Sequence, residues 1–271
     1  EWVTEMREQV RLWFYSLLFM SVTITGKAPY QRVLAFSSVV QEDGSKFSKT
    51  GTMIEFDDAA ERIGSDAIRY LYAGAGYVND VRFGFNLGEE ARRKLLGFWN
   101  IYSFFMTYAE IDNPAINAPN PTSRLDNWLV QRVQDFVNKA TDAYESYSTQ
   151  DLVREFELCI DDVSNWYVRR SRRRFWKEEL DADKLSAYST LYYAIKTLSQ
   201  VMAPIIPFMT EHIWQDMVLR FGQAEESIHL SDFPKTADVD TTLLEQVETV
   251  REVIASAMKL RNENQLKVRQ P

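Results

Sequence analysis

Glycine is concentrated at one end of this chain, and that distribution constrains the fold more than any other feature. Gly26, Gly44, Gly51, Gly64, Gly74, Gly76 and Gly84 all fall within residues 1–87, among short strand signals and helical spacing, the composition of α/β loops. From Glu89 onward the glycines nearly vanish and long helical patterns follow one another. Leu95, Leu96, Trp99, Ile101, Tyr102, Phe105 and Met106 form an apolar stripe. A linker from Asn113 to Pro121, with Pro114, Pro119 and Pro121, ends it. Further helices are predicted over about Ser123–Tyr147, Thr149–Glu179 with Ser148 and Thr149 as capping candidates, Asp183–Met202, Pro207–Phe221 and Thr241–Arg261. Repeated helices with short joins predict a mainly α fold: a helical bundle over residues 88–271, preceded by a small α/β part over residues 1–87.

Composition sets outer limits. At 271 residues, with 45% hydrophobic and 13% aromatic content, the chain can bury one large core or two modest ones. The longest apolar run, around Trp13 to Met20, is too short to span a membrane and follows Arg11. The chain begins Glu1-Trp2, with no basic and apolar leader, so no secretory signal is expected. The single cysteine, Cys159, excludes an intrachain disulfide and a cysteine-clustered zinc site and suits a reducing cytoplasm. Set among Phe156, Ile160 and Val163, it reads as core.

The most chemical spacing is Lys46-Phe47-Ser48-Lys49-Thr50, just after Gly44. Two lysines three apart, flanked by hydroxyl residues, suit a polyphosphate: each ammonium is a compact point charge, and Ser48 and Thr50 can donate to phosphate oxygens. Taken alone, the pentapeptide is also what a solvated loop looks like. Its setting adds weight. The apolar run Val33 to Val40 reads as a buried strand with a turn at Gln41-Glu42-Asp43-Gly44, and Ala60, Ile63, Ala67, Ile68 and Leu71 space a helix over Asp57–Tyr72. The lysines therefore lie between a strand and a helix.

This arrangement resembles the second signature loop of class I aminoacyl-tRNA synthetases, written KMSKS in the family, and Gly64-Ser65-Asp66-Ala67-Ile68-Arg69-Tyr70 is similar to its Gly-Ala-Asp-Ala-Leu-Arg helix. The run from Glu5 through Gln9, Arg11 and Trp13 to Tyr15 resembles the E-G-x-D-Q-x-R-G-W-F-Y block of isoleucyl-tRNA synthetases. Downstream, the string from Trp166 to Trp176 is close to their W-Y-[IV]-R-R-S-R-R-R-F-W, and Leu266 to Pro271 to their L-K-V-R-Q-P. The resemblance covers nearly the whole chain. It implies the C-terminal part of a Rossmann-like catalytic domain over 1–87, an anticodon-binding helical domain over 88–271, and both ends reading as cut.

What the resemblance implies for chemistry is specific. In the family, isoleucine and ATP with magnesium give isoleucyl-adenylate and pyrophosphate, after which the aminoacyl group moves to tRNA. Lys49 would stabilise the departing pyrophosphate and Lys46 would assist, with Ser48 on the nucleotide; Glu5 aligns with the position that holds the adenylate, and Gln9 lies near it. The first signature loop, of His-Ile-Gly-His type, does not occur here. The only histidines are His212, expected on an amphipathic helix, and His229, expected in a surface loop, so the isolated chain is predicted not to aminoacylate. The implied protein is a cytoplasmic monomer whose partners are tRNA, ATP and isoleucine, with no zinc site in this chain.

The formal net charge of -8 runs against nucleic-acid binding, but phosphate contacts need only a local basic face. Arg169, Arg170, Arg172, Arg173 and Arg174 supply one, and at helical spacing some of them must point inward. They are read as shared between RNA contact and ion-paired braces toward Glu155, Glu157, Asp161 and Asp162, or Glu178 and Glu179. Trp166, Tyr167, Phe175 and Trp176 include possible platforms for splayed bases, though most are expected in the core. Lys259, Arg261, Lys267 and Arg269 form a second candidate basic patch.

Departures from the family bear on activity. Phe47 replaces methionine, Thr50 replaces serine, the loop is one residue shorter before Gly51-Thr52, Phe56 stands for proline, and Met6 and Leu12 stand for glycine, where a side chain can crowd a ligand. The active synthetase is the favoured expectation; a valine or leucine relative and a non-catalytic tRNA-binding module are the alternatives.

Overall fold

A computed structural model of the chain describes residues 2–48, 53–121, 123–222 and 224–266. It divides into two compact units: Glu1–Leu96 with Ala143–Arg154, and Gly97–Asp142 with Glu155–Pro271.

In the first unit, β1 (Trp2–Met6) pairs in parallel with β2 (Arg32–Phe36), Trp2 opposite Arg32 and Met6 opposite Phe36. A short 3-10 turn (Arg7–Arg11) and α1 (Trp13–Thr25) make the crossover that parallel strands require, and Gly26 ends α1 at φ 70 in the left-handed region. A second parallel pair, β3 (Val39–Gln41) with β4 (Val81–Phe83), encloses α2 (Phe56–Ile63) and α3 (Ser65–Ala75).

Two expectations are corrected here. The run Val33–Val40 is not one buried strand. The chain changes ladder at Ser37-Ser38, where Ser37 N–H donates to Tyr77, Val81 N–H donates to Ser38, and the Asp80 carboxylate takes both the Ser37 hydroxyl and the Ser38 N–H. The single helix over Asp57–Tyr72 is two, because Gly64 sits at φ 95, ψ 141, a conformation that no helix continues through.

The second unit is helical. α4 (Phe85–Asp112) begins in the first unit and continues into it, α5 (Arg124–Glu145) ends in the first unit and α6 (Thr149–Asp161) begins there, and α7 (Arg169–Phe175), α8 (Ala182–Met202), α9 (Pro207–Ile213), α10 (Leu219–Phe221) and α11 (Thr241–Glu263) belong to the second. The Asp181 carboxylate caps α8 by accepting Lys184 N–H, and Asp240 caps α11 through Leu243 N–H. Phe98, Phe105, Phe136, Phe156, Tyr188 and Trp214 fill the core, and Cys159 is buried there with its thiol pushed up to about 12 by burial.

The helix expected to run from Thr149 to Glu179 ends at Phe175, and it is not uniform. A π-helical stretch, Asp162–Val168, separates α6 from α7, and another, Trp214–Val218, separates α9 from α10. Each wider turn shifts the following residues around the axis, so periodicity counted from Thr149 does not carry through to the arginines.

Candidate functional site

The lysine segment leaves β3 in a tight hairpin. Gln41 N–H donates to Ser45 at 2.8 Å, Gly44 N–H to Gln41 at 2.9 Å, and Lys46 bridges back to Val40. Gly44 occupies φ 89, which a glycine adopts without strain. Ser45 N–H donates to the Asp43 carboxylate and holds its pKa below the usual range, and the Gln41 side-chain amide donates to the Lys46 carbonyl at 3.2 Å. Lys46 is thereby presented to solvent with its backbone tied down, and Ser48 is exposed two residues on. Lys49 and Thr50 lie outside the described residues, as do Lys267 and Arg269.

Glu5 lies near the C-terminal end of β1, opposite Ala35, as the lysine hairpin lies beyond the C-terminal end of β3. The C-terminal ends of parallel strands are where α/β proteins bind ligands. Glu5 is exposed, with one oxygen accepting the Met6 N–H. Gln9 uses its carbonyl oxygen to accept the first free N–H of α1, from Trp13, at 3.1 Å, which leaves its NH2 group for other contacts. Arg7, between them, reaches Asp80 at 3.7 Å, and the Asp80 pKa is held down by the Ser37 hydroxyl first, then by the Ser38 N–H, Arg7 and Lys46. Arg7 and Lys46 thus both act on the Asp80 carboxylate. Met6 (φ -59) and Leu12 (φ -120) stand where the family has glycine, and neither uses the left-handed region.

The arginine string separates by environment. Arg169, Arg172 and Arg173 are exposed and make no ion pair with any described residue. Arg170 lays its guanidinium over the Trp166 ring at 3.2 Å from the centroid, with the Arg251 guanidinium at 5.4 Å from the same ring. Its pKa is lowered by burial first and then by Arg169 and Arg251. The Trp166 ring is thus already covered by cation, which corrects its reading as an open platform for a base.

Arg174 is the inward member. Its fork sits on Asp126 at 2.6 and 2.7 Å, and it also donates to the Asp183 carbonyl. Asp126 is wholly buried and accepts in addition from Tyr167 and Ser186, so its pKa is lowered although burial pushes the other way. This removes Arg174 from the RNA-contact set, because its fork is committed to Asp126 and Asp183 and its side chain is only 13% exposed. The partner is not one of the acids anticipated from the sequence. Asp162 instead receives Arg132 at 2.7 Å and Arg251 from α11, while Glu155 lies 3.9 Å from Arg132.

Of the aromatics in the string, Tyr167 and Phe175 are core. Trp176 is 58% exposed, with its indole N–H donated to the Tyr108 hydroxyl at 2.7 Å. Arg172 and Arg173 precede it by four and three residues, at helical spacing. His212 packs against Trp99 with the rings tilted and is exposed on α9, and His229 is exposed in a 3-10 turn.

Sequence reasoning missed a recess of about 700 Å³ lined by Asn117, Tyr193, Lys196, Arg220 and Phe221 among others. Lys196 is half-buried over Trp214, its pKa lowered by burial, and it makes no ion pair with any described residue. Arg220 spends one donor on Glu110 at 2.9 Å. Two cations and tyrosine rings facing one recess suit an anionic, aromatic ligand. The available signal was a lone lysine within the apolar stretch Tyr192 to Leu198. Among the described residues no group of three or more histidine, cysteine, aspartate or glutamate side chains is placed to hold a metal, and no helix is long and apolar enough to cross a membrane.

Comparison with known proteins matches residues 126–271 to the anticodon-binding domain of tRNA ligases and residues 2–84 to class I tRNA synthetases of the I, L, M and V group. The chain belongs to the class I tRNA synthetase family. Within it, the chain is 40% identical over its whole length to the isoleucine–tRNA ligase of Dehalococcoides mccartyi (strain CBDB1) and 37% identical to that of Thermus thermophilus. It spans 28% and 27% of those relatives. The fold is similar to that of Agrobacterium radiobacter K84 agnB2 LeuRS in a ternary complex with tRNA and LeuAMS (TM-score 0.71, 13% identity, 90% of this chain and 29% of that one). It is also similar to that of Mycobacterium tuberculosis methionyl-tRNA synthetase bound by methionyl-adenylate (TM-score 0.68, 14% identity, 82% of this chain and 46% of that one).

Proposed function

We propose that this chain is the part of an isoleucine–tRNA ligase that supplies the pyrophosphate-side lysine loop and the tRNA anticodon-binding bundle, residues 1–87 completing the catalytic domain and 88–271 forming the bundle. The observation that carries the catalytic half is the hairpin that ties down the backbone on both sides of Gly44 and projects Lys46 beyond the C-terminal end of a parallel strand.

In adenylation the isoleucine carboxylate attacks the α-phosphate of ATP, which is bound with magnesium, and charge builds on the leaving pyrophosphate. Lys49 meets that charge as it develops and Lys46 assists, so both act more on rate than on affinity. Ser48 donates its hydroxyl to a phosphate oxygen. Glu5 accepts from the ammonium or ribose hydroxyls of the adenylate, with the Gln9 amide beside it.

In the bundle, Arg169, Arg172 and Arg173 contact tRNA phosphates, Arg170 is held ready by Trp166, and the Lys196 recess takes one splayed nucleotide. The protein acts in the cytoplasm as a monomer. Isoleucine-dependent ATP–pyrophosphate exchange by the full-length protein, run beside valine and leucine, tests this: exchange with isoleucine is expected to dominate. Exchange favouring another amino acid would replace the specificity, and none at all would leave a tRNA-binding module.

A further inference from the structure

The hairpin that carries Lys46 is anchored by a carboxylate with no chemistry of its own to perform. Glu42, in the turn, accepts from the backbone N–H of Asn86 at 2.8 Å and of Leu87 at 3.2 Å, and from the Asn86 side-chain amide at 2.9 Å. Those backbone donors belong to the first turn of α4, a 28-residue helix, where N–H groups have no partner inside the helix and the dipole favours an anion. A helix is ordinarily capped by the residue just before it. Here that residue is Gly84, and a Cβ on it would lie 2.3 Å from Glu42 Cγ. Glycine at 84 both withholds a local cap and makes the room that the hairpin's carboxylate fills. Arg82 adds a donor to the Glu42 carbonyl at 3.3 Å. From there the contacts run without a gap through Gln41 and Ser45 to the Lys46 backbone.

We propose that Glu42 is a positioning residue for adenylation: by capping α4 it holds the hairpin in the geometry in which Lys46 meets the pyrophosphate. This rests on the synthetase function proposed above. Glu42 touches no substrate and acts through Lys46. A preorganised cation is effective because it needs no reorganisation as charge develops, so a loosened hairpin costs rate before it costs substrate affinity.

The test is ATP–pyrophosphate exchange by full-length wild type, Glu42→Ala, Glu42→Gln, Gly84→Ala and Lys49→Ala, with thermal midpoints measured on each. Glu42→Ala is expected to lower kcat about tenfold while KM for isoleucine is unchanged, and Glu42→Gln, which keeps the acceptor oxygen for the two backbone donors, to recover most of it. Gly84→Ala, which displaces the carboxylate without removing it, is expected to reproduce the Glu42→Ala loss. Wild-type kcat in Glu42→Ala, or a fall only in proportion to unfolded protein, overturns the inference while Lys49→Ala still lowers exchange. A wild type without isoleucine-dependent exchange overturns the synthetase function itself, and this inference with it.

Discussion

In the proposed function the lysine hairpin and the arginine helix both present cations to phosphates, and they are supported in opposite ways. Lys46 sits on a short loop whose geometry comes from backbone hydrogen bonds and one carboxylate clamp. Arg169, Arg172 and Arg173 stand on a helix whose inner side is pinned by a buried network of Asp126, Arg174, Tyr167 and Ser186. A clamped hairpin fixes a charge at one point, while a helix keeps several charges at fixed spacing. The first arrangement suits a group whose charge changes during chemistry, the second a polyanion of constant charge.

Breaking each support shows whether the division holds, and the largest effect is expected where charge develops. In the full-length protein, Lys49→Ala is predicted to lower pyrophosphate exchange about 100-fold or more, with tRNA affinity and thermal midpoint unchanged. A change confined to KM for ATP would assign that lysine to ground-state binding.

Next is the buried network. Asp126→Ala takes from Arg174 its buried partner, leaving only the more exposed Asp183, and is predicted to destabilise the bundle by about 3 kcal/mol in denaturant unfolding. The same carboxylate sets a pH dependence. Its folded pKa is depressed, so its contribution to stability is present above the unfolded value of about 4 and is lost as pH falls through the folded one. Asp126→Asn is predicted to flatten acid unfolding in that range; an unchanged acid limb would put the proton uptake elsewhere.

The exposed cations come after that. Arg172→Ala with Arg173→Ala is predicted to weaken tRNA binding about tenfold at moderate salt and to reduce the slope of log affinity against log salt by about 1–2, leaving exchange intact. An unchanged slope would remove them from the interface. The smallest effect is expected for Lys196→Met, which relieves the cost of half-burying an ammonium: stability holds or rises slightly while tRNA affinity falls a few-fold, read by titration.

Much of this was legible in the sequence, for identifiable reasons. Helix periodicity marked the bundle because most of its helices bury one continuous face, and the linker from Asn113 to Pro121 was announced by its prolines. Strand and helix breaks in the first unit were not, since Ser37-Ser38 changes ladder through long-range bonds to Tyr77, Asp80 and Val81 that no local pattern shows. The lysine loop stood out by spacing, while its clamp did not, because Glu42 and Asn86 are 44 residues apart. The need for an inward arginine followed from helical spacing. Which one, and against which acid, did not follow, because the π-helical stretch rotates the string and Asp126 lies on another helix.

The most direct measurement is a pair of assays on two variants of the full-length protein, Lys49→Ala and Arg172→Ala with Arg173→Ala, each followed for pyrophosphate exchange and for tRNA affinity. Separate sites predict that the lysine variant loses exchange and keeps tRNA, and that the arginine variant does the reverse. Two folded variants that lose both functions in equal measure would contradict the division.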